Sequence, residues 1–419
     1  MVEVWLPYGN TEVCVRIPTG NLLDIIEPKK VDAAQNPKDE IKKALQNPSG
    51  DTRIAEMVKP GAKIAIVLKD SGASTNRMLI SAVMEEINSA GVRNEDVTVI
   101  IAYDPFRTVS SKQEFPMPDT EPTARLRVIQ HRCEADEQVY VGKTSRGIEI
   151  SLNKLFTEAD VKILAGSVEP HPIAGYSGGR EMILPGVASL SSIEKAFQMG
   201  MDRMAKRGNL KDNPVHEEMV EAADLAQVDF TLNIVRDSEF NVVKAFAGDV
   251  DKAFEESVKL AEEIYKVPVE NRADMVFISP GGSIFDATLQ EAITCLDSIS
   301  EVAKKGKPIA LVAECASGYG DKEFLEAASK FSNPKDLRKY LKRKFSIPGL
   351  MAYRLMNLLQ QANIVAVSVM PEYYISRVFK MKTARTANEA YRLLVDAAGS
   401  RGKVSFIPHG SLTVPFMKP

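Results

Sequence analysis

The sequence predicts a two-domain α/β protein. Each domain is expected to be a mostly parallel sheet covered by helices. Three observations carry this expectation. Short β-branched runs are almost continuously apolar, as strands buried on both faces are. They alternate with longer segments whose apolar residues recur at helical spacing. The length of 419 residues exceeds what one compact core usually organises.

In chain order, strands are expected at Lys63–Leu68, Val97–Ala102, Val161–Ala165 and Phe230–Val235. Four more are expected at Met275–Ser279, Pro308–Ala313, Ile364–Ser368 and Val404–Ile407. Between the first two, Leu79, Ile80, Val83, Met84 and Ile87 fall on one face of a helix from Arg77 to Asn88. Val215–Ala226, Lys252–Tyr265, Leu289–Lys304 and Ala387–Ala398 show the same spacing. No period of about 20–50 residues recurs, which argues against a solenoid. Lys266–Ala273 contains Pro268, follows a long helix and precedes a fresh apolar strand, so it is the expected boundary. Residues 1–268 then form the first unit and 272–409 the second, with 410–419 a candidate to rejoin the first.

Composition narrows the function. Lys+Arg 53 against Asp+Glu 56 gives a net charge of -3, which offers no basic face for nucleic acid. The basic cluster Lys335, Arg338, Lys339, Lys342, Arg343 and Lys344 reads as a solvated helix face. No apolar run approaches the ~20 residues that span a bilayer, so no membrane partner is expected. Met1–Pro7 has no basic segment leading into an apolar core, so no secretory signal is expected. Cys14, Cys133, Cys295 and Cys315 are scattered, without CxxC or zinc-ligand spacing, which suits a reducing cytoplasm.

The most informative segment is Gly166–Gly186, which follows a buried strand and carries Ser177-Gly178-Gly179, three prolines and His171. Glycine-rich loops at the carboxyl ends of parallel strands are where α/β proteins bind ligands. Without Cβ atoms, the backbone N–H groups of Gly178 and Gly179 are free to approach an anion. Gly175-Tyr-Ser177-Gly-Gly179 also fits the G-x-S-x-G nucleophile pattern. Nine residues separate Ala165 from Gly175, where that pattern needs an immediate strand-to-helix turn, so a serine hydrolase is the third reading. His216 and His409 read as exposed helix and turn residues, and Cys315 as a small buried one.

The string His171-x-x-x-Gly175-x-Ser177-Gly178-Gly179-Arg180-x-x-x-x-Pro185-Gly186 resembles the signature loop of the nickel-dependent lactate racemase family. Asp70 after a strand, Ala102 leading to Arg107, Asn213-Pro-Val215, Pro280-Gly-Gly282 with Asp286, and Ala313–Gly320 agree with it in order. The resemblance implies an active-site cleft between the two domains, a nickel-pincer nucleotide, a small 2-hydroxy acid substrate, and two histidines that alternate as acid and base while the cofactor carries hydride. Residue by residue, however, the chain departs. The cofactor-tethering lysine falls on Glu181, the nickel-ligating histidine near Phe197, and the second proton-carrying histidine on Phe106. The carboxylate-pairing arginine falls on Ala73 and a second-domain lysine near Thr294.

The expected site follows. His171 and Asp104 are the catalytic candidates. Asp70, Ser177, Gly178, Gly179, Arg180 and Glu181 are the cofactor-binding candidates, with any pincer nucleotide held non-covalently. Arg107, Asp286 and Glu291 are the substrate-binding candidates. Metal ligands and oligomeric state are left open. The leading expectation is a racemase or epimerase of a small 2-hydroxy acid. The alternative is a non-catalytic homologue that binds a nucleotide or an organic acid.

Overall fold

The computed structural model describes residues 1–107, 122–123 and 125–418. The chain opens with a hairpin, β1 (Val2–Tyr8) and β2 (Thr11–Ile17), then β3 (Leu22–Ile25). There follow β4 (Ile64–Leu68), β5 (Val97–Ile101), β6 (Arg127–Gln130), β7 (Gln138–Lys143), β8 (Glu149–Asn153) and β9 (Val161–Ser167). The two-residue strands β10 (Pro170–His171) and β11 (Gly175–Tyr176) precede β12 (Phe230–Arg236), β13 (Val242–Gly248) and β14 (Lys266–Val269). The rest are β15 (Met275–Ile278), β16 (Pro308–Val312), β17 (Asn363–Val367), β18 (Lys382–Ala384), β19 (Val404–Ile407) and β20 (Val414–Met417).

Among the described residues these strands make two six-stranded sheets, ordered β13-β12-β9-β4-β5-β6 and β18-β17-β16-β15-β19-β3. The second is parallel throughout, and the first is parallel except where β13 runs against β12. All eight expected strands are present. β4 and β16 are buried at every position, which is why their sequences are continuously apolar.

The first 25 residues depart from the expectation that they belong with the first unit. β3 pairs with β19 in the second sheet, and Val4, Leu6, Val15 and Ile17 of the hairpin share a core with Phe277 and Phe406. The hairpin is apolar on one face only, and that face needs an apolar sheet to cover. At the other end of the chain, β20 pairs with β14, and Leu412 and Val414 pack with Phe254, Val258 and Ile264 of the helix Val250–Tyr265.

The helices at Ala73–Ser89, Pro214–Ala226, Val250–Tyr265 and Ala387–Ala398 lie where the apolar spacing puts them. The expected helix Leu289–Lys304 is instead broken into Leu289–Ala292, a 3-10 stretch Ile293–Ser298 and Ile299–Val302. The reason is local. Thr294 Oγ1 donates to Glu291 O at 2.8 Å, and Arg207 Nη2 donates to Thr294 O at 3.0 Å. A side chain from the other lobe thus takes a carbonyl that an α-helix would use.

Candidate active site

Both sheets reverse their strand order at one point. β5 lies on one side of β4 and β9 on the other; β16 lies on one side of β15 and β19 on the other. Crevices outside the carboxyl ends of strands at such points are where open α/β sheets bind ligands. Here the two crevices meet in one cleft lined by both lobes. Lys69 enters it from β4, Asp104, Phe106 and Arg107 from beyond β5, and Glu169 and His171 from beyond β9. The second lobe contributes Ile284 and Phe285 after β15, Glu291 and Thr294 from the broken helix, and Ser411 after β19.

The glycine loop is shaped by close approach. His171 pairs with Gly175 across the β10–β11 turn. Gly175 has φ +81, and a Cβ there would sit 2.3 Å from Asn209 O, so only glycine fits. The backbone N–H groups expected to be open to an anion are taken by the chain's own side chains. Gly178 N–H donates to Glu181 Oε2 at 2.9 Å, and Gly179 N–H donates to Asn233 Oδ1 at 3.2 Å. Glu181 Oε2 also accepts from Lys69 Nζ at 3.1 Å. Burial pushes the Glu181 carboxyl up, but the Lys69 ammonium and the Gly178 N–H outweigh it and hold the pKa down at about 2.

His171 is locked in one protonation state. Its Nδ1 accepts from the backbone N–H of Ala174 at 2.9 Å and of Ile173 at 3.3 Å. Backbone N–H groups can only donate, so the proton of the neutral ring sits on Nε2. Burial lowers the pKa to about 3, and the charges of Lys69, Arg207 and Arg180 add to that against the opposing pull of Glu181. Nε2 lies 3.7 Å from Glu181 Oε1, too far for a direct hydrogen bond. At neutral pH His171 therefore presents a fixed N–H donor, where the resemblance implies an imidazole that gains and loses a proton. Asp104 is the nearby group with a raised pKa, through loss of water and the Glu181 charge, opposed by Arg107 and Lys69.

Behind His171 stands an apolar wall. Phe106 meets the His171 ring edge-on at 5.1 Å and stacks on Phe197 at 6.1 Å. Phe197 is fully buried. The two positions where the resemblance implies a second proton carrier and a nickel ligand are thus phenyl rings packed on each other. Among the described residues no three His, Cys, Asp or Glu side chains are grouped to hold a metal ion. With a salt-bridged carboxylate at the tether position, the residues present do not fit a nickel-pincer nucleotide.

Of the expected site residues, His171, Asp104, Ser177, Glu181, Arg107 and Glu291 line the cleft. Arg107 sends Nη1 across to Ile284 O at 2.8 Å, joining the two lobes. Ser177 Oγ accepts from Glu169 N–H at 3.0 Å and donates to Ser167 O at 3.2 Å, so it pins the loop and is not activated by a base. Asp70 accepts from Gly72 N–H at 3.0 Å and Asn76 Nδ2 at 3.1 Å, ordering the start of the helix Ala73–Ser89. Asp286 accepts from the N–H groups of Gly9 and Glu314 at 2.9 and 3.0 Å, fixing the hairpin to the second sheet. Neither lines the cleft. Arg180 turns away as well: its Nε donates to His216 Nδ1 at 2.7 Å, and its guanidinium lies 3.8 Å over the Phe254 ring. His216 is accordingly an internal partner, not an exposed residue. Burial, with the Arg180 charge added, holds its pKa at about 3.

Sequence reasoning did not single out Lys69, Glu169 or Arg207. Glu169 is paired with Arg236, whose Nε donates to it at 2.9 Å and whose Nη1 donates to Ser71 O at 2.7 Å. Burial works to raise the Glu169 pKa, but Arg236 and Lys69 bring it below the ordinary value.

Asn213 links the loop to the helix Pro214–Ala226. Its Oδ1 accepts from the N–H groups of Val215 and His216, and its Nδ2 donates to Ile173 O at 2.9 Å and Asn209 O at 2.8 Å. Asn213→Ala is expected to cost about 2–3 kcal/mol in urea unfolding, since a cap and two buried acceptors are lost together. Asn213→Asp keeps the cap and should fall between.

The chain matches two family models, the lactate racemase N-terminal domain over residues 8–208 and the lactate racemase C-terminal domain over residues 268–414. It is 28% identical over 422 residues to a lactate racemase of Thermoanaerobacterium thermosaccharolyticum, covering 98% of each chain. It is 25% identical to a lactate racemase of Lactiplantibacillus plantarum, covering 98% of this chain and 99% of that one. The structure of the lactate racemase apoprotein from T. thermosaccharolyticum superposes with a TM-score of 0.88 at 27% identity, covering 99% of this chain and 100% of that one. A Thermotoga maritima protein shares the fold at 17% identity, with a TM-score of 0.67 over 93% of this chain and 100% of that one. Matched in both halves and along its whole length, the chain belongs to the lactate racemase family.

Proposed function

We propose that the chain is a cytoplasmic isomerase that inverts a small 2-hydroxy acid in this cleft. The observation that supports it most is the convergence of fixed donors at the paired switch points. Lys69, the Nε2–H of His171 and Arg207 all line one cleft, and each can only donate to a ligand oxygen. A 2-hydroxy acid offers matching acceptors, a carboxylate and a neighbouring hydroxyl. In this reading Lys69 holds the anion end, and His171 donates to the hydroxyl oxygen. Asp104, raised in pKa, is the group left to exchange the hydroxyl proton, and the hydride of the α-carbon requires a separate hydride acceptor. Phe106, Ile284 and Phe285 exclude water from the carbon skeleton. Glu181, paired with Lys69, and the buried Phe197 offer a nickel-pincer nucleotide neither a tether nor a metal donor.

A second reading is favoured by the Phe106–Phe197 stack: a member of the family that binds the organic acid without turning it over. One experiment separates the two. The purified chain is incubated in D2O with D- and L-forms of lactate, glycerate and malate, with and without added nickel and pincer nucleotide. Products are resolved by chiral chromatography and mass spectrometry. Stereochemical scrambling of any acid supports the isomerase. Ligand-dependent rise in Tm without scrambling supports the binding protein.

A further inference from the structure

Arg207 is fully removed from bulk water, 6% exposed, yet lines the cleft. Its Nη1 donates to Pro170 O at 3.1 Å and to Ser411 O, and its Nη2 to Thr294 O at 3.0 Å. Those carbonyls come from the glycine loop of the first lobe, the segment after β19 and the broken helix. All three residues line the cleft. Nε has no hydrogen-bond partner among the described residues.

What distinguishes Arg207 is that it lines the cleft without a countercharge. The other cations that line it face carboxylates, Lys69 that of Glu181 and Arg107 that of Asp104. Nearby, Arg236 touches Glu169 and Arg354 touches Asp297. Arg180, also buried without a carboxylate, points away from the cleft onto the Phe254 ring, His216 and the Tyr176 carbonyl. Arg207 forms no ion pair among the described residues. Asp297, whose charge reaches it, already pairs with Arg354 at 2.8 Å. The guanidinium supplies the donors of a strap, and with them a full charge that the three carbonyls do not neutralise. Burying a full charge on neutral carbonyls is costly unless an anion meets it.

We propose that Arg207 is the anchor of the cleft's anionic ligand, and that it supplies the unneutralised charge against which a ligand carboxylate settles. The proposal rests on the hydroxy-acid reading only for the identity of that ligand. Arg207 is carried by the segment just before the helix Pro214–Ala226 and Lys69 by the end of β4, both in the first lobe, while Arg207 itself reaches the second lobe through Thr294 O and Ser411 O.

The test uses the full chain with L-lactate, D-lactate, acetate and the uncharged lactamide as probes, read by Tm shift and calorimetric titration. The wild type should bind lactate or acetate, and lactamide at least ~10-fold more weakly, since a charge-assisted bond is lost. Arg207→Met should weaken carboxylate binding ~30-fold, and Arg207→Lys less, because the charge survives without the fork. Equal affinity for lactate and lactamide in the wild type overturns the proposal, even if Arg207→Met does not fold. Unchanged carboxylate affinity in a folded Arg207→Met also overturns it, and leaves the hydroxy-acid reading standing. Binding of acetate but of neither lactate, lost in Arg207→Met, keeps the anchor and rejects the hydroxy-acid reading. Absence of any carboxylate effect on the wild type rejects both.

Discussion

Glu181→Gln is expected to destabilise the fold by about 3 kcal/mol at pH 7, measured by urea unfolding. The amide keeps the shape and can still accept from Gly178 N–H. The charge that faces the Lys69 ammonium is lost, leaving a cation 14% exposed without its carboxylate. The pH dependence has the matching sign. Glu181 is held at about 2 in the folded state, against an ordinary value near ~4.3 when unfolded. A depressed carboxylate contributes stability that is full above the unfolded value and is lost as pH falls toward the folded one. The interval of ~2 units corresponds to ~3 kcal/mol. The difference in stability between wild type and Glu181→Gln should therefore stay constant above about pH 5 and close as pH falls toward 2. A difference that persists at low pH would show that the carboxylate acts through shape and not charge.

Replacement of His171 is expected to have the largest effect on the cleft. His171→Phe removes the Nε2–H donor and should lower turnover of the 2-hydroxy acid by about 10²–10³-fold. It also strands the N–H groups of Ile173 and Ala174, at about 2 kcal/mol of stability. His171→Asn offers an acceptor and a donor on one amide, so it should recover most of that stability. The pH profile distinguishes donor from proton carrier. With its pKa at about 3, His171 stays neutral across the physiological range, and activity should show no inflection near the ordinary imidazole value of ~6.5. The same depression makes His171 a source of acid lability. The unfolded chain binds a proton between about pH 6.5 and 3 that the folded ring refuses, so stability falls with pH across that window.

Much of the fold was legible because two-sided burial writes itself into sequence. β4, β9 and β16 are apolar without alternation, and parallel sheets follow. The hairpin Val2–Ile17 was not assigned to its sheet, although alternate apolar residues mark its buried face. A two-stranded ribbon does not say which sheet it will cover. At the site, the glycine loop and His171 stood out because glycines and an imidazole rarely share a turn. Lys69 did not, since a lysine at a strand end reads as a surface residue. It becomes part of the site only through Glu181, 112 residues away in the chain. By its glycines the Ser177-Gly-Gly179 segment predicts a cradle for a ligand anion. The chain's own carboxylate, three residues beyond Gly178, sits there. Arg180 and Glu181 are neighbours in one 3-10 turn and necessarily project in different directions, which glycine spacing alone does not reveal. The replacement of two implied histidines by Phe106 and Phe197 was visible as two separate departures. Their contact, which makes one apolar wall of them, is visible only in three dimensions.

The most direct test is a crystal structure of the chain with a bound 2-hydroxy acid at saturating concentration. The acid should lie in the cleft, its hydroxyl oxygen within hydrogen-bond distance of His171 Nε2 and its carboxylate on the side of Lys69 and Arg207. A ligand bound elsewhere, or an acid turned with its carboxylate toward Phe106 and Phe285, would contradict the account.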